Sequence, residues 1–464
     1  MLPSVMGFVL LPLYTRFMSV ADFGIVNSMQ TFSGILMVFF TLALERSAYR
    51  VYYDYTDPSE KKMFFGTMLI GIFIASVIIG GSCFLFSSQI QKIFESISFY
   101  PFFALTILYT FCMAYFNVTQ IIALVQHKSI RYFVIAVSAF FVTNLLSIYF
   151  VVFKGHGALG MIEGTAIGYG IMLPVCIFIL KKEVVFSFRF DIFKNILNFC
   201  APMLPILISA WISNLSDRIF IDHYFTQNEV GLYSLGYKIG SLILFIAGAF
   251  QMAYNPIFYE LANSENQQEA KITLEKYNNI FIMVVSVMSL SIFLFCKEVI
   301  GFLFHERYAE AIVYGKIICV AFMISQCGGI FNSMIYQHKK TDRYMYIVIF
   351  CALVNLGLNY LLIPRFGPLM APVTTLINSL LIFSLSFWVA RKCYFIPLNW
   401  TVFFMLLSCF AVIEGLDYFS SGRISPLVVF VFKMILFLVI SGGFVWYRKD
   451  FFLKLLNSKK QEEA

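Results

Sequence analysis

The sequence predicts an all-α polytopic membrane protein of about fourteen transmembrane helices. They form two six-helix lobes related as parallel repeats, with two extra helices at the C-terminus. Three observations predict this. First, 60% of the 464 residues are hydrophobic and 12% are charged, with a mean hydropathy of +0.83, against about 45–50% apolar and about 25% charged in a soluble domain. Second, polar breaks divide the chain into apolar runs near the roughly 20 residues that cross a bilayer. Third, a short pattern near the start returns 207 residues later. A soluble enzyme is excluded. The net charge of +8 then asks which side of a bilayer holds the cations, rather than where nucleic acid binds.

Each helix is an apolar run closed by polar residues. The first, 1–15, stops at Arg16. The second, 22–44, follows Ser19 and Asp22 and stops before Arg46. The third, 64–87, follows Lys61 and Lys62; the fourth and fifth, 99–126 and 131–153, are split at His127 and Lys128. The sixth, 157–180, contains Gly160, Gly164 and Gly168, a small-residue spacing that lets helices approach closely. The seventh, 193–216, carries Pro202 and Pro205, and the eighth, 229–255, follows Thr226. The ninth to twelfth, at 278–296, 311–337, 344–363 and 368–390, end at charged or proline-containing breaks. The thirteenth and fourteenth are 398–417 and 425–447. The connections are short, the longest lying near 256–277. The expected organisation is an N-lobe over 1–180, a C-lobe over 193–390, the extra pair over 398–447 and a tail over 448–464.

Cationic loops are retained in the cytoplasm. With fourteen helices, 22 Lys and Arg fall on the side of both termini and 8 on the other, so both termini are expected to be cytoplasmic. Lys238, Lys316 and Lys433 remain within helices.

The repeated pattern is Phe17-Met-Ser-Val-Ala-Asp-Phe-Gly-Ile25, which returns as Tyr224-Phe-Thr-Gln-Asn-Glu-Val-Gly-Leu232. Ser19 and Asp22 align with Thr226 and Glu229, and Gly24 with Gly231. Both read as helix-capping boxes, a hydroxyl taking an orphan amide and an acid favouring the helix N-terminus. Six helices separate the copies. An even number preserves orientation, so the halves are expected to be parallel repeats about an axis along the membrane normal, with a site between them.

Little points to catalysis. The ten cysteines lie mostly in apolar runs without a C-x-x-C spacing, and the five histidines lack any metal-binding spacing. No P-loop occurs, and no cleavable signal peptide is expected, because Met1 opens directly into apolar sequence. No cofactor is expected beyond a coupling H⁺ or Na⁺.

Leu11–Gly24 (LPLYTRFMSVADFG), Ala43–Tyr55 (ALERSAYRVYYDY) and above all Ser213–Gly240 (SNLSDRIFIDHYFTQNEVGLYSLGYKIG) resemble the Wzx-type polysaccharide and oligosaccharide flippases of the multidrug/oligosaccharidyl-lipid/polysaccharide exporter superfamily. The likeness spans nearly the whole chain. One departure is that this chain opens inside its first helix, where members of the family carry further residues. The resemblance implies a bacterial inner-membrane protein, with helices 1–6 packed against 7–12. It also implies transfer of an undecaprenyl-diphosphate-linked oligosaccharide (an O-antigen, capsule or exopolysaccharide repeat unit) from the cytoplasmic to the periplasmic leaflet by alternating access. The implied partners are the lipid-linked oligosaccharide, membrane lipids, and a polysaccharide polymerase with its chain-length regulator.

A diphosphate substrate calls for permanent cations in the lumen. Lys238 stands nine residues after Glu229, about 13.5 Å along a helix, where an ammonium must face water, an acid or a ligand. Arg50 matches the family's cation at the cytoplasmic mouth, and Lys433 in the fourteenth helix is a third candidate substrate contact. Arg16, Asp217 and Arg218 end helices 1 and 7 on the outer side and are candidates for an inter-lobe gate. Glu163, inside the glycine-spaced sixth helix, is the candidate for ion coupling. Two readings from the same superfamily stand beside this one. A cation-coupled multidrug antiporter would want acidic cavity groups, of which Glu163 and Glu414 are the clearest; a peptidoglycan-precursor flippase is the other. A membrane polymerase or acyltransferase is disfavoured, since the chain has neither a long loop nor a clearly embedded histidine.

Overall fold

The computed structural model describes residues 2–338, 340–398 and 426–447, and between the last two 400, 403, 404, 407, 408, 410, 414 and 415. The described chain is helical, with no strand among the described residues. Among the described residues, eleven helices are long and apolar enough to cross a membrane, and they match the second to the twelfth predicted helices one for one. The first and fourteenth predicted helices contain shorter apolar stretches, Met6–Phe17 and Val428–Val439. The thirteenth and the tail fall mostly outside the described residues.

The chain divides into two compact units. Unit 1 comprises Met1–Leu235, Leu303–Ala311 and Met345–Asn378, and unit 2 comprises Gly236–Phe302, Ile312–Tyr344 and Ser379–Ala464.

In unit 1, α1 (Leu2–Val9) and α2 (Leu11–Phe17) make up the first predicted helix. Then α3 (Val20–Thr41) starts with both halves of the predicted capping box: the Asp22 amide donates to Ser19 Oγ at 3.0 Å, and the Ser19 amide donates to Asp22 Oδ2 at 3.0 Å. It ends earlier than predicted because Leu42 and Ala43 adopt positive φ of 47° and 57°. The chain next makes two 3-10 turns, Leu44–Tyr49 and Val51–Asp54. With Asp57 as its cap, α4 (Pro58–Leu85) begins six residues before the predicted start; the Ser59 hydroxyl and amide hold the Asp57 carboxyl below its usual range.

After α5 (Ser87–Ile93) come α6 (Ala104–Val125), α7 (Ser129–Ile148) and α8 (Gly157–Glu183). The glycine stripe of α8 works as its spacing suggests. A Cβ at Gly164 would stand 2.4 Å from Ser147 Cα, and one at Gly168 would stand 2.8 Å from Thr143 Cα. In hydrocarbon, where helices gain by van der Waals packing rather than by burial from water, such backbone proximity holds a pair together. At the cation-rich end, Glu183 accepts from Lys128 Nζ at 2.6 Å and from Arg131 Nη1 at 2.7 Å.

The seventh predicted helix is two pieces, α9 (Phe190–Cys200) and α10 (Leu204–Leu215), and a short α11 (Asp217–Tyr224) follows it where a connection was expected. Pro202 and Pro205 interrupt the ladder between the first two, since proline brings no N–H. The chain continues in α12 (Gln227–Gly240). Here the two copies of the repeat meet. A Cβ at Gly24 would lie 1.9 Å from the Gln227 carbonyl oxygen, and a Cβ at Gly231 would lie 2.2 Å from the Val20 carbonyl oxygen. Val20 and Gln227 are themselves one repeat apart, so each copy's glycine takes the other's backbone at the equivalent place. A two-fold related crossing produces this reciprocity.

Unit 2 begins at the end of α12. The predicted eighth helix is broken at Ser241 and Leu242, and α13 (Ile243–Ala262) follows. Ser241 Oγ donates to the Lys238 carbonyl at 2.9 Å, competing with the helix ladder. Gly240 passes close to the Gly315 carbonyl, where a Cβ would come within 2.8 Å. The predicted long loop near 256–277 is helix except for four residues, because Asn266 and Glu269 cap α14 (Gln267–Leu303) reciprocally at 3.2 and 3.0 Å. Next comes α15 (Ala311–Gln337). Across both units run α16 (Thr341–Phe366) and α17 (Met370–Arg391), and the last described helix is Pro426–Tyr447.

Candidate functional site

Unit 1 contains a cluster of buried polar side chains around the start of α11. Asp217 is fully buried and Arg218 is 4% exposed. A buried carboxylate must be compensated by hydrogen bonds or charge. Asp217 accepts from the Tyr233 hydroxyl, from Asn359 Nδ2 at 2.6 Å and from Thr375 Oγ1 at 3.1 Å. Asn359 in turn donates to Asn355 Oδ1 at 3.4 Å and accepts from Thr374. The Asn355 Nδ2 is buried without a hydrogen bond in the structure. Arg218 donates to the Asn214 carbonyl at 2.9 Å and lies 5.3 Å from the centre of the Tyr233 ring.

Hydroxyl and amide donors from α12, α16 and α17 thus converge on the α11 carboxylate and compensate its burial. A carboxylate is itself a group that a proton or a small hard cation can bind. No group of three His, Cys, Asp or Glu that could hold a metal occurs among the described residues. A second buried acid, Asp222, accepts from Ser96 and from Gln227. The Gln227 in this network is the same residue whose carbonyl meets Gly24, so the acidic face of α11 is tied to the repeat crossing.

The other predicted site residues are dispersed. Arg16 is exposed at the end of α2. Arg50 is exposed between the two 3-10 turns and is ion-paired with Asp54. Glu163 lies 2.9 Å from His156 Nδ1, near the start of α8. Lys238 is half-buried in the last turn of α12, next to the helix break. Lys433, 3% exposed, bonds Glu298 Oε1 at 3.1 Å. A second embedded lysine, Lys316, bonds Glu414 Oε2 at 2.7 Å and lies 5.1 Å from the Phe293 ring centre. Two ion pairs therefore join the C-terminal segments to the rest of unit 2.

One residue had no signal in the sequence beyond its charge. Arg307, in the segment that joins α14 to α15, donates through Nη2 to the carbonyls of Thr15 at 2.6 Å and Met18 at 2.7 Å. A cation on the last carbonyls of a helix satisfies orphan acceptors and favours the dipole. Beside it Tyr308, fully buried, packs edge-on to Phe23 with ring centres 6.1 Å apart. The C-terminal end of α2 is therefore capped by Arg307 acting on backbone.

Broken helices, a repeated helix crossing and a buried polar cluster on apolar spans define a multi-pass membrane protein with a transporter fold. Residues 13–313 match the pattern of the polysaccharide biosynthesis protein family, and the chain belongs to that family. It is 21% identical over 333 residues to Lsg locus putative protein 1 of Haemophilus influenzae, covering 68% of this chain and 76% of the relative. Among solved structures it resembles the lipid II flippase MurJ in an inward closed conformation, with a TM-score of 0.70 at 13% identity over 96% of this chain and all of that one. It also resembles the Vibrio cholerae MATE transporter VcmN, with a TM-score of 0.55 at 12% identity over 84% of this chain and 92% of that one. The fold is that of the MurJ and MATE transporters, as the sequence motifs implied.

Proposed function

We propose that this protein flips a lipid-linked oligosaccharide, of the undecaprenyl-diphosphate class, from the cytoplasmic to the outer leaflet of a bacterial inner membrane. The match to the polysaccharide biosynthesis family over residues 13–313 carries the substrate class, and the MurJ-like fold supports a flippase cycle. The cycle is alternating access, with the headgroup crossing while the lipid stays in the bilayer. Lys238 contacts the diphosphate. The cation couples at Asp217 rather than at Glu163, because Asp217 is a fully buried acid held in a polar network. One elementary charge moved through 100 mV supplies about 2.3 kcal/mol. Lys433 acts as a structural partner of Glu298, and Arg50 as a cationic anchor at the mouth.

The test is a deletion strain. Lipid-linked repeat units should accumulate on the cytoplasmic leaflet and surface polysaccharide should vanish, and the wild-type gene should restore it. Unchanged surface polysaccharide would overturn the reading. The MATE-like fold favours a multidrug antiporter as the second reading, for which raised drug resistance on overexpression, with intact polysaccharide in the deletion, is the signature. Loss of viability with arrested peptidoglycan synthesis would instead indicate a peptidoglycan-precursor flippase.

A further inference from the structure

Unit 2 encloses a cavity of about 170 Å³ between α13, α14 and α15. It is smaller than the roughly 300–1,000 Å³ of a drug-sized site, so it takes one ring-sized group. Gln251, Asn255, Asn332 and Ser333 line it together with tyrosines including Tyr254 and Tyr336, and no charged side chain among the described residues does. One wall is a ring stack: Phe250 is stacked on Phe281 with centres 4.6 Å apart and on Tyr254 at 5.6 Å. Gly329 makes room on another side, where a Cβ would come within 3.1 Å of Gln251 Nε2.

The polar groups retain capacity for a ligand. An amide offers two donors and one two-lone-pair acceptor. Gln251 donates to Gln326 Oε1 at 3.4 Å and Asn332 donates to the Tyr344 hydroxyl at 3.1 Å. The Tyr254 hydroxyl has Asn278 beside it, while the Asn332 Oδ1 is buried and forms no hydrogen bond in the structure. Buried polar groups left so cost free energy until water or a ligand satisfies them. A phosphate would want cations here and a cationic drug would want acids; the wall supplies neither. An acyl chain would leave the amides unsatisfied. A neutral pyranose fits both surfaces: its hydroxyls donate and accept against the amides, and its C–H face lies on the electron-rich ring faces.

We propose that this cavity is a binding subsite for a neutral sugar ring, the non-ionic part of the headgroup. The inference rests on the flippase reading and deepens it. Tyr254 lies eight residues before the end of α13 at Ala262, about 12 Å at 1.5 Å per residue. That end leads to the side expected to be cytoplasmic, bearing Lys271, Lys276, Lys340 and Arg343, where the substrate enters the cycle.

The test is saturation-transfer NMR on the full-length protein in a non-glycosidic amine-oxide detergent, so that the detergent head does not compete. The probes are methyl glycosides of galactose, mannose and N-acetylglucosamine, with methyl glucuronide as the charged control. At least one neutral glycoside should receive saturation, and the glucuronide should receive at least tenfold less. Gln251→Met and Asn332→Leu should each reduce the neutral signal at least tenfold. Gly329→Ala, a smaller change that narrows the cavity, should weaken it severalfold in a protein with an unaltered melting temperature. No saturation of any neutral glycoside, equal saturation of the glucuronide, or unchanged binding in the folded Gly329→Ala protein would overturn the proposal. Glycoside binding lost in these variants, in a protein whose deletion leaves surface polysaccharide intact, would uphold the cavity while overturning the flippase reading.

Discussion

The two copies of the repeat, 17–25 and 224–232, share a pattern but differ in the length of the hydroxyl-to-amide bond at the helix start and in what lies around it. At the first, Ser19 and Asp22 form both bonds of a capping box, and Asp22 Oδ1 also accepts from the Ala158 amide at 3.2 Å, joining the starts of α3 and α8. At the second, the Glu229 amide approaches Thr226 Oγ1 at 3.5 Å, which is at the limit of a hydrogen bond. The second copy is instead rich in buried acid: α11, immediately before it, carries Asp217 and Asp222, whereas Arg16 and the α2 carbonyls precede the first. What the copies keep in common is the glycine crossing. The comparison teaches that the symmetric element is a backbone contact, while the polar chemistry around it has diverged: one half ties two helix starts together and the other follows a helix with two buried acids.

The crossing is the largest effect to test. Gly24→Ala and Gly231→Ala each drive a methyl into backbone from which nothing flexible can retreat, so both should abolish flipping and sharply reduce the yield of monodisperse protein in size-exclusion chromatography. Tolerance of either one alone would break the reciprocity. Next comes Asp217. Asp217→Ala leaves buried donors of Tyr233, Asn359 and Thr375 unpaired, at about 1–3 kcal/mol for each group left unsatisfied, and should lower the melting temperature in detergent. Asp217→Asn keeps the shape and should remain folded while losing ion-driven transport. Equal flipping by Asp217→Asn and wild type across an imposed ion gradient would move coupling elsewhere. The caps give the smallest effect. Ser19→Ala should cost about 1 kcal/mol, and Thr226→Ala only a few tenths, read as melting shifts of matching order; equal shifts would mean that the second cap is as complete as the first.

In unit 2, breaking one of the embedded ion pairs is a control outside the comparison. Lys433→Met strands Glu298, whose Oε2 is already buried without a hydrogen bond in the structure. Loss of one member of a buried pair costs about 3–5 kcal/mol. A clear drop in melting temperature, largely reversed in the Lys433→Met, Glu298→Met double variant, would support the structural role. An unchanged melting temperature with lost transport would return Lys433 to the substrate.

The spans were legible because each is a local apolar run, and the caps because their partners stand three residues apart. The helix interruptions were not. Pro202 and Pro205 allowed a bend but did not locate it, and the break after Lys238 falls where Gly240 passes the Gly315 carbonyl, far along the chain. The site was least legible. Asp217 stood out as a charge beside a helix end and was read as a gate, yet its partners Asn359 and Thr375 are 142 and 158 residues away and look like ordinary polar residues in apolar runs. Arg307 binds carbonyls, which every residue has, so no spacing could announce its partners.

By itself, the sequence determined the membrane class, the succession of spans, the capping boxes and the repeat, since hydropathy, capping and period are written in neighbouring residues. Only the tertiary structure decided that Gly24 and Gly231 each meet the other copy's backbone, that buried donors converge on Asp217, that Lys433 answers Glu298, and that an amide-and-aromatic cavity lies in unit 2. These depend on residues brought together from distant helices. In a bilayer, such meetings are selected by close packing and by the cost of leaving a polar group unsatisfied, neither of which can be read from one helix alone.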